Sequence, residues 1–182
     1  MAKHKTLGQV FTPQWIISEI LDSLGYNDEN IIEKYILEPS SGDGAFLIEI
    51  VTRYIDVCLA KNFKIFEIRE HLEKYIYAVE IDEIEYQKSI QNLNKLVKDK
   101  LGIEENLNWK LYNQNTLNFY KSHLNFFDFI VGNPPYIRIH NLDLDTKKIL
   151  KQDFFFSEGT IDIYLSFFEM GFKMLKKEGL LG

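Results

Sequence analysis

The feature that most constrains the fold is a largely apolar run that stops at two consecutive prolines. The run over residues 126–131 is long and apolar enough to form a buried strand, and Gly132-Asn133-Pro134-Pro135 follow immediately. Two prolines can neither continue a strand ladder nor enter the interior of a helix. The sequence therefore predicts a stiff, extended loop at the carboxyl end of a strand, where open α/β sheets place their ligands.

The chemistry of this loop favours binding of an exocyclic amine on a planar heterocycle. Asn133 offers a carboxamide oxygen, Pro134 offers a carbonyl oxygen, and Tyr136 adds a flat aromatic face. Two acceptors beside a stacking surface suit the amine of adenine. The alternative is a proline-rich turn with a buried tyrosine and no ligand.

A glycine turn earlier in the chain predicts a nucleotide-type cofactor site. A short strand is predicted over residues 35–38, and Gly42 and Gly44 follow it, so the backbone can adopt positive φ and approach a ligand closely. A helix comes next, and the apolar residues expected on its buried face are Ile48, Val51, Ile55 and Leu59. Leu47 replaces the third glycine of the dinucleotide fingerprint, so a pyrophosphate seat is not expected.

The period of the apolar residues predicts the remaining elements. Thr12 is expected to cap a helix that starts at Pro13 and ends before Gly25. Further helices are predicted over 65–73, 82–100 and 142–156, and strands over 75–81 and 108–113. A helix capped by Thr160 is expected to bury an apolar stripe made of Ile163, Tyr164, Phe167, Phe168, Phe172 and Leu175. A fifth strand is expected to begin at Gly179.

Bulk properties fit one globular domain in a reducing compartment. The chain has 182 residues, 46% of them hydrophobic, and a single cysteine, Cys58. The amino terminus lacks an apolar stretch and no run could span a bilayer, so a cytoplasmic protein without membrane contact is expected. The net charge of −6 opposes a basic DNA-binding face, and two lysine clusters, at 147–151 and 173–177, are interpreted as solvated helix faces. No metal site is expected from the four scattered histidines.

Three motifs together resemble the S-adenosylmethionine-dependent DNA adenine-N6 methyltransferases of bacterial and archaeal restriction–modification systems. They are Asn133-Pro134-Pro135-Tyr136, the segment Gly8-x-x-Phe11-Thr12-Pro13, and Glu38-Pro39-x-x-Gly42-x-Gly44-x-Phe46. The resemblance implies an α/β fold, a doubly wound Rossmann-like methyltransferase sheet that is incomplete at the carboxyl terminus. Residues 1–182 would form the amino-terminal part of a catalytic domain, with the cofactor-binding half and the Asn-Pro-Pro-Tyr loop, and the target-recognition domain would be absent.

The resemblance also implies roles for particular residues. Asn133, Pro134 and Tyr136 would be catalytic. Glu38 would face the amino group of S-adenosylmethionine, Glu80 would accept hydrogen bonds from the ribose, and Ile81 would lie against the cofactor's adenine. Asn115 stands near the position where many relatives carry an aspartate for the adenine amine. The other cofactor-binding residues implied are Phe11, Thr12, Ser40, Gly42 and Gly44.

The implied function is methylation of a flipped adenine in double-stranded DNA. A restriction endonuclease or a specificity subunit is a possible partner. Two alternatives stay open. Protein-glutamine methyltransferases also carry Asn-Pro-Pro-Tyr, and RNA methyltransferases carry similar loops. The chain could also be a non-catalytic module that binds cofactor or partner subunits, because a half-built sheet exposes an apolar edge.

Overall fold

The computed structural model of the protein describes residues 12–136, 142, 144–155 and 163–182. The helices within them are α1 (Gln14–Ser23), α2 (Ala45–Ala60), α3 (Ile65–Tyr75), α4 (Glu83–Leu101), α5 (Thr116–Phe119), α6 (Leu144–Asp153) and α7 (Tyr164–Met174). The strands are β1 (Ile36–Glu38), β2 (Ile76–Glu80), β3 (Lys110–Asn113), β4 (Phe127–Ile130) and β5 (Leu175–Leu181). The types predicted for the strands and for the helices other than α5 are confirmed, and α5 was not predicted.

The strands form one sheet in the order β3-β2-β1-β4-β5, and every neighbouring pair is parallel. The chain moves outward from β1 to β3 and then crosses back to β4 on the other side of β1. This reversal confirms the predicted doubly wound α/β sheet. It also brings together the carboxyl ends of β1 and β4, where ligands bind in such folds.

Helices cover both faces of the sheet because alternate strand residues point to opposite sides. Ile36 of β1 joins a core built mainly with α1, α2, α3 and α4. Its neighbour Leu37 joins a second core built mainly with α5, α6 and α7. Both strand residues are fully buried, so the centre of the sheet is closed off from solvent on both sides.

An irregularity in β4 lets Phe127 and Phe129 pack in opposite cores. In a regular strand, residues two positions apart would face the same side of the sheet. The amides of Asp128 and Phe129 both donate to the carbonyl of Tyr35, at 2.9 and 3.1 Å. Two residues therefore oppose one, as in a β-bulge. Phe127 packs in the second core and Phe129 in the first.

The start of α1 differs from the prediction. Pro13 occupies the N-cap, without a side-chain hydrogen bond, and the helix begins at Gln14. Thr12 is therefore not the cap, and its hydroxyl contacts the diproline loop instead. Gly25 has φ +68° and ends this helix as predicted.

The predicted buried faces of α2 and α7 were partly wrong. In α2, Val51 and Ile55 are buried, but Leu59 is exposed, and Phe46, Ile50, Tyr54 and Cys58 complete the buried face. In α7, the buried residues include Phe167, Met170 and Met174, and Phe168 and Phe172 are exposed. Thr160, the predicted cap, lies outside the described residues. The fifth strand begins at Leu175, earlier than expected.

Among the described residues, no helix combines the length and the apolar character that crossing a bilayer requires.

Candidate functional site

The diproline loop leaves the sheet between β1 and β5. The amide of Val131 donates to the carbonyl of Leu37 at 3.0 Å, and the amide of Gly132 donates to the carbonyl of Gly182 at 3.3 Å. These bonds extend the sheet pairing up to the residue before Asn133. The prolines then stop the ladder, and the loop is only partly buried.

Asn133 is held from two sides by hydroxyl groups from distant parts of the chain. The Ser40 hydroxyl donates to the Asn133 backbone carbonyl at 3.2 Å. The Asn133 side-chain nitrogen donates to the Thr12 hydroxyl oxygen at 3.2 Å. Three predicted site residues, from the start of the fold, the glycine turn and the diproline loop, therefore meet at one place.

The glycine turn adopts the backbone that its glycines permit. Gly42 has φ +54° and Gly44 has φ +90°, a region that other residues rarely adopt. A Cβ on Gly44 would also lie 3.1 Å from the Ser89 hydroxyl oxygen of α4. Gly44 is therefore fixed both by its conformation and by the close approach of α4.

Two polar residues of α4 that sequence reasoning missed hold this turn in place. The Ser89 hydroxyl donates to the Gly42 carbonyl at 2.7 Å, and the Asn92 amide donates to the Asp43 carbonyl at 3.0 Å. Their spacing of three residues places them on one helix face. The spacing of Ser89 and Asn92 could have indicated this role. In the sequence, however, two polar residues at this spacing look the same as part of a solvent-exposed helix face.

Glu38, at the end of β1, is a buried carboxylate with an unsatisfied oxygen. Its residue is 1% exposed, and the Ser40 amide approaches Oε1 at 3.4 Å. Oε2 has no hydrogen-bond partner within the described part of the chain. Burial raises the pKa of Glu38 well above its ordinary value; the Ser40 amide opposes this rise and the Glu80 carboxylate adds to it.

Gly132 borders the same carboxylate. A Cβ on Gly132 would overlap Glu38 Oε1 and come within 2.9 Å of the carboxyl carbon. Because Gly132 does not have a positive φ, its own backbone does not require glycine. The residue before Asn133 is therefore small because the Glu38 carboxylate occupies the adjacent space.

Glu80, at the end of β2, is also buried, but both of its oxygens have partners. Oε2 accepts from the Gly42 amide at 2.7 Å, and Oε1 accepts from the Asp82 amide at 2.8 Å. Burial raises the pKa of Glu80, and these amide hydrogen bonds oppose the rise. Glu80 thus fastens the glycine turn to the second strand.

The remaining predicted site residues differ in their exposure and in their contacts. Ile81 follows Glu80 and is exposed, as a surface for a ring requires. The Asn115 side chain accepts from the Leu117 amide at 2.9 Å and caps α5. Tyr136 is 55% exposed, and its ring centroid lies 6.0 Å from that of Tyr164. Phe11 lies outside the described residues.

The prediction that both lysine clusters lie on solvated helix faces was partly wrong, because Lys176 and Lys177 belong to strand β5. Lys173 pairs with Glu169 at 2.9 Å, and Lys176 pairs with Asp128 at 2.7 Å. Lys148 and Lys151 of α6 are exposed. Within residues 12–136, 142, 144–155 and 163–182, no three His, Cys, Asp or Glu side chains are placed to hold a metal ion.

One protein family and several curated proteins are similar to this chain. Residues 45–182 match the Eco57I restriction-modification methylase family. The chain is 28% identical over 191 residues to the Type II methyltransferase M.BstVI of Geobacillus stearothermophilus, covering 98% of this chain and 33% of that protein. The curated relatives it matches are thus about three times its length, since it spans 31% to 33% of each.

Solved structures share the fold at low sequence identity. A cryo-electron microscopy structure of a DrdV–DNA complex has a TM-score of 0.71 at 17% identity, over 99% of this chain and 21% of that one. A protein of Listeria monocytogenes assigned as a class I S-adenosylmethionine-dependent methyltransferase has a TM-score of 0.57 at 17% identity, over 94% of this chain and 45% of that one.

Proposed function

The chain belongs to the Eco57I restriction-modification methylase family, and we propose that it supplies the cofactor turn and the catalytic loop for methyl transfer from S-adenosylmethionine to the N6 amine of an adenine in DNA. The observation that carries the proposal is the contact between Ser40 of the glycine turn and Asn133 of the diproline loop. The glycine turn and the diproline loop are thereby adjacent, as transfer from one to the other would require. The names of the curated relatives, which are Type II methyltransferases, also support it.

The residues around the glycine turn fit S-adenosylmethionine. Glu38 Oε2 is buried and lacks a hydrogen-bond partner within the described residues. A buried polar atom of this kind costs free energy until a donor reaches it, and a cationic amine is the strongest donor available. Glu38 would thus hold the amino group of the cofactor.

Glu80 would hold the ribose. A carboxylate has about four lone-pair directions, and the amides of Gly42 and Asp82, each on a different oxygen, do not use all of them. The others can accept from two adjacent hydroxyls. Ile81, exposed next to it, would lie against the adenine of the cofactor.

When bound, S-adenosylmethionine supplies an electrophilic methyl group on a sulfonium, and the protein's task is to present the amine in line with it. The N6 lone pair of adenine is delocalised into the ring and is a poor nucleophile. Asn133 and the Pro134 carbonyl would accept the two N–H protons and favour a pyramidal nitrogen. Both dipoles would also stabilise the positive charge that develops on the amine.

Tyr136 would stack on the target base. Its ring is exposed beside Asn133 in sequence and lies next to Tyr164. Because N6 of adenine is inside the duplex, the base has to be flipped out before it can reach this loop. With the net charge of −6 and the ion-paired lysines of α7 and β5, most of the phosphate contacts would come from other regions.

The test compares substrates and one substitution in the protein as its gene encodes it. Transfer of a labelled methyl group is measured on duplex DNA, RNA and a release-factor protein. We expect labelled N6-methyladenine in DNA only. Asn133→Ala should abolish transfer and leave the dissociation constant for S-adenosylmethionine, measured by calorimetry, within about twofold, because the lost contact is to the substrate.

Asn118→Ala is the matched control, because Asn118 is exposed on α5 and far from Asn133 in sequence. It should retain full activity. Methylation of glutamine or RNA, or full activity in Asn133→Ala, would disprove the proposal.

A further inference from the structure

We propose that Thr12 is a positioning residue that fixes which end of the Asn133 carboxamide faces the substrate. This inference rests on the proposed function and concerns the same loop. It starts from a hydroxyl group that takes no part in capping α1, since the N-cap Pro13 has no side-chain hydrogen bond and its carbonyl accepts from the amides of Ile16 and Ile17. The Thr12 hydroxyl reaches Asn133 instead, across 121 positions of sequence.

The direction of this hydrogen bond decides the orientation of the amide. The side-chain nitrogen of asparagine can only donate, so the Thr12 oxygen, 3.2 Å away, must accept. With the nitrogen held at Thr12, the carboxamide oxygen points to the other side of the group. An acceptor for the adenine amine requires that oxygen.

The Thr12 contact favours one of two orientations that the carboxamide can adopt. The terminal torsion of asparagine is broad and nearly two-fold, so the oxygen and nitrogen readily exchange places. In the exchanged orientation the NH2 group would meet the donor amine of adenine. Two donors repel each other, and the base would bind without its N–H proton being held.

The Ser40 hydroxyl acts on a different part of the same residue. It donates to the Asn133 backbone carbonyl and so fixes the position of the main chain, not the amide orientation. The side-chain torsions still have to be set by a contact of the carboxamide itself. Thr12 makes such a contact, from a residue next to the start of α1.

The experiment uses two substitutions at one position. Thr12→Val keeps the shape and removes the hydroxyl, and Thr12→Ser keeps the hydroxyl. In the full gene product, Thr12→Val should lower kcat about tenfold, the value of one hydrogen bond. The cofactor dissociation constant and the KM for DNA should stay within about twofold, and Thr12→Ser should stay within about twofold in every parameter.

The matched control is Thr52→Val, which removes a partly exposed threonine hydroxyl from α2. It should leave kcat unchanged. A second readout does not need activity: the side-chain amide signals of Asn133 in nitrogen-15 NMR spectra, assigned by their loss in Asn133→Ala. In Thr12→Val these protons should exchange with solvent faster, and in Thr12→Ser they should not.

The outcomes separate this inference from the proposed function. If the wild type methylates DNA but Thr12→Val has normal kcat and normal amide exchange, only the inference is wrong. If Thr12→Val weakens cofactor binding and leaves kcat intact, Thr12 is a cofactor ligand and the inference is also overturned. If the wild type methylates none of the three substrates, the proposed function fails, and the NMR comparison still decides whether Thr12 orients Asn133.

Discussion

Glu38 and Glu80 end neighbouring parallel strands and are both nearly inaccessible, at 1% and 5% exposure, yet their hydrogen bonding is opposite. Glu80 is bonded through both oxygens to backbone amides of the glycine turn and of the following helix start. Glu38 has one long contact, and its other oxygen has no partner among the described residues. Within the described residues, the protein therefore satisfies both oxygens of Glu80 but leaves Oε2 of Glu38 without a partner.

The difference follows from what borders each carboxylate. Gly42 and Asp82 present N–H groups to Glu80, whereas Gly132 presents a bare Cα to Glu38. A donor-lined site satisfies a charge and a small apolar neighbour does not. Three substitutions test whether this contrast is correct.

The largest effect is expected at Glu80. Glu80→Ala leaves the amides of Gly42 and Asp82 without partners, and hydrogen bonds to a charged group are each worth at least 1.5 kcal/mol, so the free energy of unfolding should fall by about 3 kcal/mol. Urea denaturation followed by circular dichroism measures it. Glu70→Ala, on the exposed side of α3, is the control and should change stability by less than about 0.5 kcal/mol. A loss under about 1 kcal/mol in Glu80→Ala would mean that water can replace the carboxylate.

An intermediate effect is expected at Gly132. Gly132→Ala places a methyl group where the Glu38 carboxylate lies and should lower the free energy of unfolding by about 2 kcal/mol through overpacking. In a Glu38→Ala background the space is free, so the same substitution should cost much less. The measurement is a double-mutant cycle by urea denaturation. Additive penalties would show that the two residues do not compete for space.

The smallest effect is expected for Glu38→Gln, and it depends on pH. Because burial raises the native pKa of Glu38, the native protein binds this proton more tightly than the unfolded chain, so stability falls as pH rises above the unfolded value of about 4.3. Glu38→Gln should match the wild type near pH 4 and become relatively more stable toward pH 8. Glu80 also has a raised pKa, but its carboxyl is present in both proteins, so the difference reports the loss of the Glu38 carboxyl and of its interaction with Glu80.

Unfolding curves at several pH values in cofactor-free buffer measure this difference. Glu70→Gln is the matched control, because it makes the same change at an exposed position of α3. A difference between wild type and Glu38→Gln that is the same at every pH would contradict the contrast between the two carboxylates.

The sequence predicted the strands, most helix bounds and the two loops of the site. The burial that it predicted for several side chains was wrong. Sequence reasoning located Asn133, Glu38 and Glu80 at strand ends, where the structure has them. Leu59 and Phe172 were expected in the core because they continue an apolar period, but they are exposed. An apolar period shows that a face can be buried; which neighbour covers it depends on elements far away in the chain.

The amino-acid sequence by itself determined the alternation of strands and helices, the diproline loop and the glycine turn. Each of these follows from a local constraint: the period of apolar residues, the fixed φ of proline, and the positive φ open to glycine at Gly42 and Gly44.

Only the tertiary structure decided that Thr12 meets Asn133, that Ser40 joins the two loops, and that the Glu38 carboxylate lies beside Gly132. These contacts join positions 93 or more residues apart. No local pattern encodes them, because they exist only after β4 has inserted beside β1 and brought the two strand ends together.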